Sequence, residues 1–139
     1  MSVAIEFRDV DIFFGQGRGR KRQAGLDRAI ELAGQGLDRS EICNRTDVVL
    51  GVHGASLSVE RGQISVLMGL SGSGKSTLLR AANGLNEVTR GQVLIHTEDG
   101  VLDLAERDPA VLRDARRHRV AMVFQQFALL PWRTVRENV

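Results

Sequence analysis

The residues with the clearest chemistry lie in "GLSGSGKST", Gly69–Thr77, where glycines at 69, 72 and 74 alternate with hydroxyl residues ahead of Lys75. Of the 19 basic residues in the chain only two, Lys21 and Lys75, are lysines, so 17 are arginines. The run from Gly69 to Ser76 fits G-x-x-x-x-G-K-[ST], the pattern of a loop that surrounds phosphate. Successive backbone N–H groups must point into one concavity to reach phosphate oxygens. Side chains at 69, 72 and 74 would obstruct that approach. A helix opening near Lys75 adds unpaired N–H groups and the positive end of its dipole. Lys75 reaches the β- and γ-phosphates as a mobile point charge, a task for which arginine's planar fork is no substitute. Ser76 offers its hydroxyl to Mg²⁺, with phosphate oxygens and water completing the shell. Ser71, Ser73 and Thr77 belong to the same expected contact set, Thr77 through its N–H or hydroxyl. The competing structural reading is a Gly/Ser turn that happens to hold a lysine. Motif and flanks agree, which favours phosphate binding. A dinucleotide site is disfavoured, because Thr77 stands where a third glycine would be.

Elements must hold this loop. "QISVLM" before it is a continuous apolar run, as expected of a strand buried on both faces. After it, Leu78, Leu79, Ala82 and Leu85 share a helical face, and Gly84 is a plausible stop. Upstream, "VAIEFRDVDIFF" is rich in β-branched and aromatic residues and reads as a strand with an extended continuation. "GQGRGRKRQAG" reads as a flexible connector, followed by a short helix over Leu26–Ala33. Asp38 with Glu41 three residues later predicts a capping box and a second short helix through Asn44. "VVLGVHGASLSVERGQISVLMG" predicts two strands joined by a turn at Glu60–Gly62. Downstream, "GQVLIH" is a strand and "TEDGVLDL" a turn with a short strand. Asp108 and Pro109 open a helix, and "VAMVFQ" is a second buried strand ending in Gln125. Thr134 caps a last helix, with Glu137 as its partner. Strand-rich first and then mixed, this order suggests α/β with an antiparallel portion.

Bulk composition bounds the rest. The 139 residues suffice for one modest domain, 42% hydrophobic and 26% charged. The net charge of +2 gives no polyanion-binding surface, and "RGRKR", Arg18–Arg22, reads as a solvated loop, so no nucleic-acid partner is expected. Cys43 is the single cysteine, which excludes a disulfide framework or zinc set within the chain. No apolar stretch approaches the ~20 residues of a membrane span. Any link to a membrane therefore goes through a partner.

The loop alone implies a nucleoside triphosphate without saying which machine uses it; kinases, GTPases and transport ATPases all carry it. Three stretches narrow the choice: "ASLSVERGQISVLMGLSGSGKSTLLRAANGL", "TRGQVLI" and "VAMVFQQFALLPWRTVRENV". Together they cover most of Gly51–Val139, and they closely resemble the ATP-binding subunits of ABC transporters. The resemblance implies an α/β fold of the P-loop NTPase, ABC ATPase type, with an antiparallel β portion and incomplete at the C-terminus. It makes Gly69–Ser76 the Walker A motif, binding ATP with Mg²⁺. It makes Gln125 the glutamine that touches the Mg²⁺ and water region and relays nucleotide state to the membrane subunit. Phe127–Trp132 would lie near that subunit's docking surface. An aromatic side chain stacks on adenine near the end of the first strand in the family. Phe14 is the best match and Phe13 the next, against the reading that both are core.

"GLDRSEICNRTDVVLGVHGASL" with "LMGLSGSGKST" resembles the quaternary-amine importer branch, whose substrates are choline, glycine betaine and proline betaine. Gly15–Asp47 fits the insertion those members carry between the first and second strands, and "LLPWRTVREN" looks most like the choline-type members. The partners so implied are transmembrane permease subunits, a second ATPase subunit and, indirectly, a periplasmic or extracellular substrate-binding protein. The implied location is peripheral, on the cytoplasmic face of the inner membrane. The family also needs a signature segment, an apolar strand ending in Asp followed by a catalytic Glu, and a switch His. None follows Gln125, and His53, His96 and His118 all precede it. The chain therefore reads as the N-terminal part of such a domain, residues 1–139, with negligible ATPase activity alone. A non-catalytic nucleotide-binding module and another P-loop NTPase are the alternatives.

Overall fold

The computed structural model describes residues 2–16, 19–124 and 130–138. Four strands, β1 (Val3–Gly15), β2 (Val48–Glu60), β3 (Arg90–Thr97) and β4 (Gly100–Asp103), form one antiparallel sheet in the order β2-β1-β3-β4. Helices α1 (Gly19–Gly34) and α2 (Arg39–Thr46) lie between β1 and β2, and α3 (Lys75–Ala81) follows the glycine-rich loop. Then come α4 (Pro109–Asp114), a π-helical turn at Ala115–Arg119 and the short α5 (Val135–Asn138). No helix among the described residues is long and apolar enough to cross a membrane.

A bulge in β1 makes this sheet two-sided. Strict alternation would send residues 7, 9 and 11 to one face. Asp9 instead adopts a left-handed conformation (φ 46°), and the pairing with β3 shifts between Arg8 and Asp11. The extra residue reverses the parity, so Phe7, Val10 and Ile12 all enter one core with Val93, Leu78 and Leu112. Beyond it, Phe13 joins a second core with Leu26, Ala29, Leu32, Ile42 and Val48, beneath α1 and α2.

Local signals held where the sequence carried them. Asp38 accepts from the Glu41 N–H at 2.9 Å, Glu41 accepts from the Asp38 N–H, and α2 runs two residues beyond Asn44. Asp108 accepts from the N–H groups of Ala110 and Val111. At α5 the carboxylate of Glu137 accepts from the Thr134 N–H (2.9 Å) and hydroxyl (3.0 Å). First the main-chain N–H and then the hydroxyl hold the Glu137 carboxyl below the ordinary glutamate value. A depressed carboxyl stabilises its folded setting above the ordinary pKa and loses that contribution as pH falls through the folded one. Carbon chemical shifts of residues 135–138 should therefore move toward coil values on acidification below the glutamate range. Glu137→Gln should remove that pH dependence.

Four expectations are corrected. α3 ends at Ala81, short of Gly84, and Leu79 and Leu85 of its expected apolar face are exposed. The connector from Gly15 is helical from Gly19, because Leu26, Ala29, Leu32 and Ala33 dock a continuous face and the basic first turns extend from it into solvent. "QISVLM" is not a strand, and Ile64, Val66 and Met68 are exposed, at 91%, 72% and 88%. Residues 120–124 of "VAMVFQ" are not a strand either, and Val123 is 96% exposed. A central strand draws its hydrogen bonds from neighbours on both sides. Among the described residues the four strands pair only with one another and present no partner to either segment.

Candidate functional site

The loop from Gly69 to Gly74 turns directly into α3. Gly74 is the N-cap, in the left-handed region (φ 99°), and a Cβ there would lie 2.5 Å from the Gly51 carbonyl oxygen on β2. Only glycine allows the loop so close to the strand. Leu78 N–H donates to Gly74 O at 2.9 Å, so the first turn of α3 is formed, and Leu78 and Ala81 anchor it in the larger core. The N–H groups of that first turn have no partner within the helix.

Lys75 arches back over its own loop. Its Nζ donates to Gly69 O (2.8 Å), Leu70 O (2.7 Å) and Ser73 Oγ (3.3 Å). The ammonium group is thus held by two carbonyls and one hydroxyl of the loop that the sequence singled out. Gly72, Gly74, Lys75, Ser76 and Thr77 line a cavity of about 310 Å³ together with Phe14 and the β2 residues Val49, Leu50 and Gly51. Phe14 is 43% exposed, whereas Phe13 is buried in the second core. The structure therefore separates the two phenylalanines: Phe13 is packing, and Phe14 lines a cavity with the loop. Gly69, Ser71 and Ser73 belong to the loop but do not line this cavity. Ser76 is exposed at the first turn of α3. No cluster of three or more His, Cys, Asp or Glu side chains could hold a metal among the described residues. A cation here would take oxygen from Ser76 and from the phosphates it accompanies, a donor set that suits Mg²⁺. Gln125 and Phe127 lie outside the described residues; Trp132 is exposed.

Two side chains were not singled out by the sequence. Arg39, the first residue of α2, donates to Gly51 O (3.1 Å), Ser73 O (3.1 Å) and Gly72 O. The available signal was a cation at a helix N-terminus, where the dipole disfavours it. Asp11 is fully buried, and its Oδ1 accepts from the Gly54 N–H (2.7 Å) and meets His53 Nδ1 (2.8 Å). Its Oδ2 lies 3.1 Å from Arg90 Nε, an ion pair without hydrogen-bond alignment. The signal here was a lone carboxylate inside "VDIFF".

Residues 52–138 match the family model described as ABC transporter. The chain belongs to the ABC transporter family. As an ABC chain it is 46% identical over 138 residues to the glycine betaine/proline betaine transport system ATP-binding protein ProV of Escherichia coli K12, covering 99% of this chain and 32% of ProV. It is 45% identical over 112 residues to the glycine betaine/carnitine transport ATP-binding protein GbuA of Listeria monocytogenes, covering 81% of this chain and 27% of GbuA. Its fold matches a bacterial ABC transporter cassette solved as a dimer, with TM-score 0.64 and 26% identity over 96% of this chain and 44% of that one. A post-hydrolysis cassette dimer bound to ADP and Pi matches with TM-score 0.63 at 24% identity, over 97% of this chain and 44% of that one. This ABC chain thus spans about a third of the curated relatives' length and less than half of each solved cassette. The α/β fold of the ABC ATPase type, with its antiparallel sheet, stands as the sequence implied.

Proposed function

We propose that the chain forms the nucleotide-gripping part of an ATP-binding subunit that powers an ABC importer of quaternary amines. The cavity between Phe14 and the loop at Gly72–Thr77 carries this reading. It brings a partly exposed aromatic side chain, a glycine-rich backbone and a lysine to one cavity. Stacking needs only a π face, so Phe14 holds the adenine. The loop amides and Lys75 hold the phosphates, and Lys75 stabilises charge developing on the γ-phosphoryl group. Ser76 would hold Mg²⁺, which when bound neutralises phosphate oxygens. Gln125 would report nucleotide state to the permease. Hydrolysis then takes place between two ATPase subunits at the cytoplasmic face of the membrane, with a substrate-binding protein delivering cargo on the far side. The relatives named for glycine betaine, proline betaine and carnitine transport support a betaine ahead of choline within the substrate class.

Equilibrium titration with Mg·ATP tests this directly, with saturable binding as the expected result. Phe14→Ala should weaken it about tenfold, since stacking of a base on an aromatic ring contributes roughly 1–3 kcal/mol. Phe14→Trp should preserve it. Absence of saturable Mg·ATP binding by the unmodified chain would remove the reading.

A further inference from the structure

We infer that Arg39 is a positioning residue that fixes the shape of the phosphate-binding loop from outside it. The inference rests on the nucleotide-site reading and adds a residue to it. Arg39 belongs to α2, in the helical pair between β1 and β2, and reaches 33 residues along the chain to Gly72 and 34 to Ser73. Its guanidinium donates to the carbonyls of both, and to Gly51 O on β2. Three carbonyls from two segments converge on one planar group. Guanidinium carries five donors in a fixed fork and no acceptor, so it can serve all three at once.

The geometry of the peptide unit gives these contacts a consequence. In a planar trans peptide the C=O and the following N–H point in opposite directions. Holding the Gly72 and Ser73 carbonyls on the Arg39 side turns the N–H groups of Ser73 and Gly74 away from it. The Ser73 N–H is accordingly found on Leu70 O at 3.2 Å, closing the loop on itself. The Gly74 N–H is oriented by the same constraint, immediately before Lys75. Arg39 also lines the cavity shared by Phe14 and Thr77, so α2 contributes both a wall and a brace to the site. A loop braced before its ligand arrives loses less freedom on binding, which appears as affinity.

The test uses the full chain with two probes, Mg·ATP and inorganic tripolyphosphate, and follows amide hydrogen exchange at residues 70–77 without either. Arg39→Met keeps the apolar stem and removes the donors. It should weaken both probes by the same factor, about tenfold for lost charge-assisted hydrogen bonds. It should also speed exchange at Ser73, whose N–H is bonded to Leu70 O. Arg39→Lys, with one compact donor group, should fall between. Phe14→Ala, in contrast, should weaken Mg·ATP alone. Binding of both probes within twofold of the unmodified chain would overturn the inference. Weaker binding with unchanged loop exchange would overturn it too, because Arg39 would then act only as a charge. If the unmodified chain bound neither probe, the nucleotide-site reading would fail, while the exchange measurement would still decide whether Arg39 braces the loop.

Discussion

Lys75→Ala should reduce affinity for Mg·ATP about a hundredfold while leaving the fold unchanged. Two losses combine. Each hydrogen bond from an ammonium to a charged phosphate oxygen contributes about 1.5–3 kcal/mol, and ten-fold in affinity corresponds to about 1.4 kcal/mol. The three N–H groups of Nζ meet Gly69 O, Leu70 O and Ser73 Oγ in the structure, so binding exchanges some of these acceptors for phosphate oxygens, and removal of Nζ also unties the loop before the phosphates arrive. The fold should not suffer, because Lys75 is the first residue of α3, where a cation opposes the helix dipole. Calorimetric titration with a parallel thermal melt checks both halves. A melting midpoint within about 2 °C of the unmodified chain is expected, as for a surface change below 0.5 kcal/mol. Lys75→Arg should lose most of the affinity as well, since a rigid fork does not replace a compact ammonium. Affinity within threefold for Lys75→Ala would show that the loop holds no phosphate.

What the sequence disclosed, and what it concealed, follows from the range of the interactions involved. The loop at Gly69–Ser76, the caps at Asp38 and Asp108, and the Thr134–Glu137 pair depend on residues within a few positions of one another, and each stands in the structure. Phe14 and Phe13 are adjacent and identical; only the packing of α1 and α2 over Phe13 separates their roles. "QISVLM" has the composition of a buried strand, but strand identity is conferred by the neighbour that accepts its hydrogen bonds, and none is in reach among the described residues. The first turns of α1 are basic and carry no apolar face, so their helicity comes from the docked half downstream. Arg39 touches carbonyls more than thirty residues away, and a carbonyl leaves no trace in residue type. The bulge at Asp9 is of the same kind: it is set by the strand across from it.

That bulge gives Gly91→Ala the tightest clash of an added methyl among the described glycines. Gly91 has φ 92°, which already strains any other residue. Its Cβ would lie 2.3 Å from Asp9 O and 2.4 Å from Arg8 O, both main-chain atoms of the central strand. A flexible side chain could swing aside, but these carbonyls cannot without undoing the pairing around the bulge. Asp9 is further held by its N–H donating to Ser56 Oγ at 2.9 Å on β2, so a shift at β3 passes through β1 to the opposite edge. It would also reset the parity that brings Phe7, Val10 and Ile12 into one core. A cost of about 3–5 kcal/mol follows from overpacking and backbone strain together, a large share of the 5–15 kcal/mol typical of a domain. The thermal midpoint should fall by roughly 10 °C or more. Gly34→Ala is the matched control: Gly34 ends α1 without a positive φ, and nothing lies within 4 Å of its Cβ position. There the added methyl should be neutral or stabilise by up to about 1 kcal/mol through helix propensity. Equal melting of the two variants would mean that β3 does not cross β1 at the Asp9 bulge, and the placement of both cores around that crossing would have to be redrawn.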